Sequence, residues 1–169
     1  MQFAATLTIL ASAVLSVVSA QGEAYTSLST CANAVPIEYN ASNFSISPSP
    51  LCINKPFCLS ASGSLAAPIT QGAEYTVTGR WLGRVVYSDK HDLCALLAAN
   101  GTPCPTAAGA FNLNICVNAK SNLPAGYVFD FQFDAINGNN ELIFCQATPD
   151  YPGIKLPHPA SGLTSVNCP

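Results

Sequence analysis

Alternation of apolar and polar side chains with a period of two is the feature that most constrains the fold of this chain. Three stretches place apolar residues at every second position, which is typical of half-buried antiparallel strands. The apolar positions are Tyr75, Val77 and Trp81, then Phe111, Leu113, Ile115 and Val117, and finally Tyr127, Phe129, Phe131 and Phe133. Several short strands separated by turn signals predict a β-sandwich or barrel.

Local signals predict the remaining elements. Residues 59–69 predict a further strand. Asn137-Gly138 predicts a tight hairpin turn because these residues adopt positive φ readily, and residues 141–148 predict the strand that returns from it. Residues 92–99, with the sequence DLCALLAA, predict one short helix. The expected fold class is therefore all-β with a single helical turn.

Residues 89–92, with the sequence DKHD, form the densest group of ionisable side chains. They indicate either an acid/base or metal-binding loop or a solvated loop ahead of the helix, and the solvated loop is favoured. No G-x-S-x-G or H-E-x-x-H motif occurs, and two histidines do not make a three-histidine metal site. Asp130 and Asp134 are four strand residues apart, about 13 Å, which is too far for a glycosidase pair. We therefore predict no catalytic residue, no metal and no cofactor.

The amino-terminal segment predicts a secretory signal peptide over residues 1–20. Its apolar run, residues 6–18, is too short to span a bilayer, and Val18-Ser19-Ala20 is a small-x-small cleavage pattern that places the mature start at Gln21. Three glycosylation sequons agree with the secretory route. They begin at Asn40, Asn43 and Asn100. The expected location is extracellular or the lumen of a vacuole.

Eight cysteines, all in the predicted mature chain, indicate four disulfides of a secreted domain. No C-x-x-C motif occurs, so a zinc site is not expected. Only 9% of residues are charged, the net charge is −3, and no basic run exists. Nucleic acid is therefore not an expected partner. The predicted domains are one sandwich over residues 21–148 and a Pro-rich tail over residues 149–169, in a monomer.

Four segments, in this order, resemble the ML (lipid-recognition) domain family. They are Gly63-Ser64-Leu65 with residues 69–77 (ITQGAEYTV), then Asp92-Leu93-Cys94, then the C-P-x-x-x-G signature at residues 104–109, and then Pro124-Ala125-Gly126-Tyr127 ahead of a strand, a turn and Cys145. The resemblance extends over residues 51–146. It is to the fungal phosphatidylglycerol/phosphatidylinositol transfer proteins and the Niemann–Pick type C sterol-transfer proteins of that family.

The resemblance implies an immunoglobulin-like sandwich of two antiparallel sheets and three particular disulfides. The implied pairs are Cys31–Cys145, Cys52–Cys58 and Cys94–Cys104. Cys116 and Cys168 remain and are expected to pair with each other, which would tie the tail to the sandwich.

The resemblance also implies a lipid held between the sheets, with no catalysis. The expected lining is Leu65, Val77, Trp81, Phe111, Leu113, Ile115, Val117, Tyr127, Phe129, Phe131, Phe133 and Phe144. Arg80, Arg84 and Lys90 are hypothesised to contact a lipid headgroup. The expected function is intermembrane transfer of a phospholipid or sterol, with transient membrane contact. The alternative is a secreted structural or interaction glycoprotein, or an effector, with a filled core, because periodicity alone does not separate a cavity from a core.

Overall fold

The computed structural model describes residues 28–32, 34, 38–48, 51–52, 54–118 and 129–148, and the backbone of residues 128 and 163–166. The predicted signal peptide, Tyr127 and Cys168 lie outside these residues. Within them the chain forms ten strands and one helix. In chain order these are β1 Ser29–Thr30, β2 Tyr39–Ser47, β3 Leu51–Cys52, β4 Pro56–Leu65, β5 Glu74–Trp81, β6 Arg84–Asp92, α1 Leu93–Ala99, β7 Gly109–Asn118, β8 Val128–Ile136, β9 Leu142–Ala147 and β10 Leu163–Val166.

The strands form two sheets. In the larger sheet β8 pairs antiparallel with β5, β9 and β10, while β6 adds to β5 and β1 adds to β9. Strand β10 also pairs in parallel with β3, so part of the predicted tail joins the sheet. The smaller sheet has the order β2-β4-β7 and is antiparallel throughout. The predicted all-β sandwich with one short helix is confirmed.

The period-two pattern places the apolar side chains between the sheets. On β7, Phe111 and alternate residues as far as Val117 are buried, whereas the asparagines between them are exposed. On β8, Phe129, Phe131 and Phe133 are buried. Phe57 of β4 contacts Phe133 across the sandwich, with ring centroids 6.3 Å apart. The two inner faces therefore make one shared core, as stacked sheets do.

Helix α1 begins where the sequence predicts it. Oδ1 of Asp92 accepts a hydrogen bond from the backbone N–H of Ala95 at 3.0 Å, which satisfies one of the free N–H groups of the first turn. Leu93 and Leu97 are buried, and the helix contacts β5, β6 and β7. It therefore closes the side of the sandwich on which β6 and β7 lie.

The prediction of a solvated loop at residues 89–92 is wrong. These residues are the last part of β6, and Asp89 is buried. The inward positions of β6 are Tyr87, Asp89 and His91, whereas Val86 on the outward face is exposed. Strands are recognised in a sequence by apolar residues that alternate with polar ones and face the core. Because β6 has polar residues on its inner face and an apolar residue on its outer face, the sequence pattern does not predict it.

Three disulfides join cysteines of the described residues. They are Cys31–Cys145, Cys58–Cys116 and Cys94–Cys104. The first and third are pairs that the resemblance implies, but the expected Cys52–Cys58 and Cys116–Cys168 pairs are wrong. Cys58 and Cys116 are directly opposed in the antiparallel register of β4 and β7, where Cβ atoms lie about 5 Å apart. Cys52 is also disulfide-bonded.

We expect peptide mapping without reduction to recover Cys58 linked to Cys116. Chymotrypsin cuts after Phe57 and therefore separates Cys52 from Cys58. In addition, Cys58→Ala should release one thiol, at Cys116, that a maleimide labels after denaturation. A chymotryptic peptide pair that links Cys52 to Cys58 would contradict the observed register.

Candidate functional site

The interior between the sheets is the first candidate site. Ten of the twelve predicted lining residues are buried there. They are Leu65, Val77, Phe111, Leu113, Ile115, Val117, Phe129, Phe131, Phe133 and Phe144. Phe131 and Phe133 lie with their rings stacked at a centroid distance of 5.9 Å, and Phe129 meets Phe131 edge-on at 6.2 Å. This interior offers apolar and aromatic contacts along almost its whole length.

Trp81 departs from the prediction that it faces the interior. It is the last residue of β5 and its side chain is 40% exposed. The pairing of β5 with β6 shifts register between Gly79 and Arg80, so the alternation that buries Tyr75 and Val77 does not continue to Trp81. Tyr127, the remaining predicted lining residue, lies outside the described residues.

The three predicted headgroup residues do not converge. Arg80 faces away from the interior, its Nη1 donates to the carbonyl oxygen of Gly83 at 3.0 Å, and Asp130 is its register partner on β8. Arg84 is exposed at the start of β6. Lys90 lies six residues further along that strand, about 20 Å away, and forms an ion pair with Glu74. Arg80 and Arg84 thus share one end of the sandwich, and Lys90 lies towards the other.

The turn between β5 and β6 carries a group of exposed apolar side chains, which we call the hairpin tip (residues 81–86). Trp81, Leu82, Val85 and Val86 are exposed, with Leu82 at 52% and Val85 at 51%. Among the described residues, Ile136 is the one other exposed large hydrophobic side chain. An apolar cluster of this kind on a protein surface commonly marks a contact with a membrane or a partner.

The backbone conformation of the hairpin tip indicates that its exposed apolar side chains do not serve folding. Leu82 and Gly83 both have positive φ, 50° and 77°, as in the two-residue turns that favour Asn-Gly. A leucine in this conformation costs about 1–2 kcal/mol. Leu-Gly is not a standard hairpin signal, so the sequence did not predict this turn. An exposed leucine at a position that suits asparagine therefore destabilises the turn and brings no compensating gain in folding free energy.

A polar group lies on the inner face of β6, at the edge of the larger sheet. Tyr87 donates from Oη to Oδ2 of the buried Asp89 at 3.4 Å. Nε2 of His91 lies 3.0 Å from the same oxygen, a close contact without hydrogen-bond alignment. Tyr75 stands opposite His91 on β5, with ring centroids 6.5 Å apart. The sequence did not predict this group, because residues 89–92 were expected to be solvated.

The hydroxyl of Tyr75 is buried and makes no hydrogen bond. Burial raises the pKa of this hydroxyl above its ordinary 10.0, and the nearby Asp134 and Tyr87 raise it further, so Tyr75 is neutral. Leaving a buried hydroxyl without a partner costs about 1–3 kcal/mol. Tyr39, on the opposite sheet, is also buried. Unlike that of Tyr75, its hydroxyl contacts two carbonyl oxygens, those of Ala61 at 3.1 Å and Phe111 at 3.0 Å.

The three predicted glycosylation asparagines are all exposed. Asn40 and Asn43 lie on β2, and Asn100 follows α1. Nδ2 of Asn100 donates to the carbonyl oxygen of Leu96 at 3.0 Å, whereas Nδ2 of Asn43 makes a longer contact of 3.5 Å with Ser42. The side chains are therefore accessible for the modification that the sequons predict.

The described part of the chain contains no group of three or more His, Cys, Asp or Glu side chains placed to hold a metal ion. Within the same residues, no helix is both long enough and apolar enough to cross a membrane.

The chain belongs to the ML domain family, whose family model matches residues 25–149. The resemblance found in the sequence is therefore confirmed. Two solved structures are similar. A Niemann–Pick type C2 protein from Japanese carpenter ant matches 72% of this chain and 95% of its own, at 15% identity and a TM-score of 0.55. Chicken MD-1 complexed with lipid IVa matches 64% of this chain and 83% of its own, at 16% identity and a TM-score of 0.45. No curated protein sequence matches at a significant level.

A pH-dependent stability is expected from Asp134, which lies on the outer face of β8. Burial raises the pKa of Asp134 above its ordinary 3.8, although a hydrogen bond from Gln132 and the charge of Lys90 oppose this. A raised carboxyl pKa means that ionisation costs folding free energy, so the wild type loses stability as pH rises through the raised value. Asp134→Asn should therefore match the wild type below pH 3.8 and exceed it at neutral pH.

Denaturant unfolding of both proteins across this pH range measures the difference. The measurement at the acidic end is the internal control, because both side chains are neutral there. A difference that stays constant with pH, or that favours the wild type at neutral pH, would show that burial does not dominate at Asp134.

Proposed function

We propose that this chain is a secreted lipid-binding protein that carries one phospholipid or sterol between its sheets and exchanges it with membranes. The observation that carries the proposal is the apolar interior: alternate residues of β4, β5, β7 and β8 face inward and are almost all apolar, in a chain of the ML domain family. The family match and the shared fold support lipid binding.

The energetics of such a site suit a carrier. A buried lipid chain gains about 0.8 kcal/mol per CH₂, so a long acyl chain contributes on the order of 10 kcal/mol. The same chain loses a comparable amount when it leaves a bilayer. Loading and release are therefore nearly balanced, and no chemical step is needed to drive them.

The disulfides leave room for a lipid to part the sheets. Cys31–Cys145 lies at the β1–β9 edge of the larger sheet, and Cys58–Cys116 lies within the smaller sheet. Cys94–Cys104 joins α1 to the loop before β7. None of these three bridges connects one sheet to the other. Separation of the sheets thus costs mainly apolar side-chain contacts, which a lipid replaces with contacts of the same kind.

The hairpin tip is proposed as the membrane contact. Trp81 is an amphipathic aromatic of the kind enriched at membrane interfaces, and Leu82 and Val85 add exposed apolar surface beside it. Arg80 and Arg84 flank these residues, and cationic side chains at a membrane surface are attracted to anionic headgroups. These two arginines are therefore placed to contact phosphates of the membrane surface, and not the headgroup of a lipid that is already held between the sheets.

The proposed compartment is extracellular or the lumen of a vacuole. Three disulfides among the described residues fit an oxidising compartment. The exposed sequon asparagines fit the same route. The alternative function, an interaction glycoprotein with a filled core, would use the same fold without a lipid.

Transfer of a fluorescent phospholipid or sterol between donor and acceptor vesicles tests the proposed function. Trp81 is the only tryptophan of the chain, so its emission should shift to the blue on vesicles that contain phosphatidylglycerol. Leu82→Asn combined with Val85→Thr should keep the fold, since asparagine suits the positive φ at position 82. Loss of this apolar surface should weaken vesicle binding and slow transfer about tenfold or more.

The matched control is Ile136→Thr, which removes an exposed apolar side chain at the opposite end of β8. Its vesicle binding and transfer should equal those of the wild type. Equal loss in both variants would show that the hairpin tip is not the contact. Absence of transfer by the wild type from every donor composition would support the filled-core alternative.

A further inference from the structure

Two polar atoms stand out in the apolar interior because they have no hydrogen-bond partner. They are Oη of Tyr75 and Nε2 of His91, which belong to side chains directly opposed on β5 and β6. The ring centroids are 6.5 Å apart. Buried polar groups are hydrogen-bonded in the great majority of cases. A tyrosine hydroxyl without a partner, beside a histidine nitrogen that has a close contact with Asp89 but no hydrogen bond, therefore calls for a reason.

With one exception, the other buried polar side chains of the described residues are hydrogen-bonded, which sets this pair apart. Gln146 donates from Nε2 to Oγ1 of Thr30 at 3.3 Å, and Oγ1 of Thr148 accepts from the N–H of Phe131 at 3.1 Å. Within the described residues the one further unpaired buried side-chain atom is Oε1 of Glu38. That carboxylate is already held through its second oxygen, which accepts from Asn137 at 2.8 Å.

His91 of this pair lies beside a surface depression at the edge of the larger sheet. Among the described residues β6 pairs only with β5, so it is the edge strand of the larger sheet. A surface depression of about 320 Å³ borders these strands. It is lined by Gly72, Ala73, Glu74, Lys90, His91 and Asp92. His91 is about one quarter exposed and stands between this depression and the buried Tyr75.

The charges around the pair select a neutral ligand group. Asp89 carries its carboxylate to within 3.0 Å of His91 on the same inner face. At the depression, Lys90 is already paired with Glu74, and Asp92 adds a further acid. A phosphate or carboxylate placed here would meet these acids and no uncommitted cation among the lining residues. A hydroxyl group instead accepts a hydrogen bond from the Tyr75 O–H and contacts Nε2 of His91, and it brings no charge of its own.

We propose that Tyr75 and His91 form a polar anchor for a lipid alcohol, a molecule with an apolar body and one neutral hydroxyl group. The inference rests on the proposed lipid-binding function and deepens it. The apolar body lies against the phenylalanines of β8, and the hydroxyl lies at the β5–β6 edge. Sterols, long-chain alcohols and monoacylglycerols share this chemistry, and phospholipids with anionic headgroups do not.

Competitive displacement of the neutral fluorescent probe N-phenyl-naphthylamine from the full chain tests the anchor. The competitors are a sterol alcohol and its parent sterane, a long-chain alcohol and the matching alkane, and phosphatidylglycerol. The wild type should bind each alcohol about three- to tenfold more tightly than its hydrocarbon, the yield of one net hydrogen bond. Comparison of the sterol pair with the straight-chain pair shows which kind of apolar group the interior binds more tightly.

Tyr75→Phe should abolish this preference and leave hydrocarbon affinity unchanged, because the ring remains and only the hydroxyl is removed. Its unfolding free energy should not fall, since the lost hydroxyl had no partner. Tyr39→Phe is the matched control, because its hydroxyl already contacts two carbonyl oxygens. That variant should lose stability and keep the alcohol preference.

The outcomes separate the two proposals. Equal affinity for alcohol and hydrocarbon in the wild type, or an alcohol preference that survives Tyr75→Phe, overturns the anchor and leaves lipid binding intact. Tightest displacement by phosphatidylglycerol overturns it as well. Failure of every lipid to displace the probe overturns the proposed function and the anchor together.

Discussion

The fold depends on β8, the central strand of the larger sheet, and on the face that it turns toward β4 and β7. Phe129, Phe131 and Phe133 lie on that face and are buried. A slip of one residue in the pairing of β8 with β5 would turn all three rings away from the opposite sheet. Strands β5 and β9 are held in register on either side of β8, and their inward residues complete the same layer. The apolar interior is a consequence of this one register.

The described disulfides act within the sheets, non-covalent contacts act between them, and this difference matters for function. The described disulfides strengthen individual sheets and the α1 connection. Contact between the sheets relies mainly on side-chain packing, with hydrogen bonds that join Glu38 to Leu142 and Asn137 at one end. Packing contacts are individually weak and are replaceable by a ligand of similar polarity. None of the three described disulfides would have to break for an apolar molecule to enter between the sheets.

The sequence predicted those parts of the fold in which the period of two is uninterrupted. Strands β4, β7 and β8 were predicted because their buried faces are apolar. The helix at residues 93–99 was predicted separately, from its own local sequence. Strand β2 was missed, since a register irregularity between Ser42 and Ser45 breaks its period. The inner face of β6 was missed because it is polar. The Cys58–Cys116 bridge depends on the register between strands, which cysteine spacing does not contain. For the site, the aromatic interior was predictable, but the hairpin tip and the polar edge were not.

The proposed function requires that the interior of the native protein holds a lipid. Native mass spectrometry of the chain purified from a secretory expression host, followed by lipid extraction, is the decisive experiment. We expect a mass above that of the disulfide-bonded chain by one lipid, and we expect the same lipid in the organic extract. A bare mass, an extract without lipid, and no mass increase after incubation with vesicles would contradict the account and leave a sandwich with a filled core.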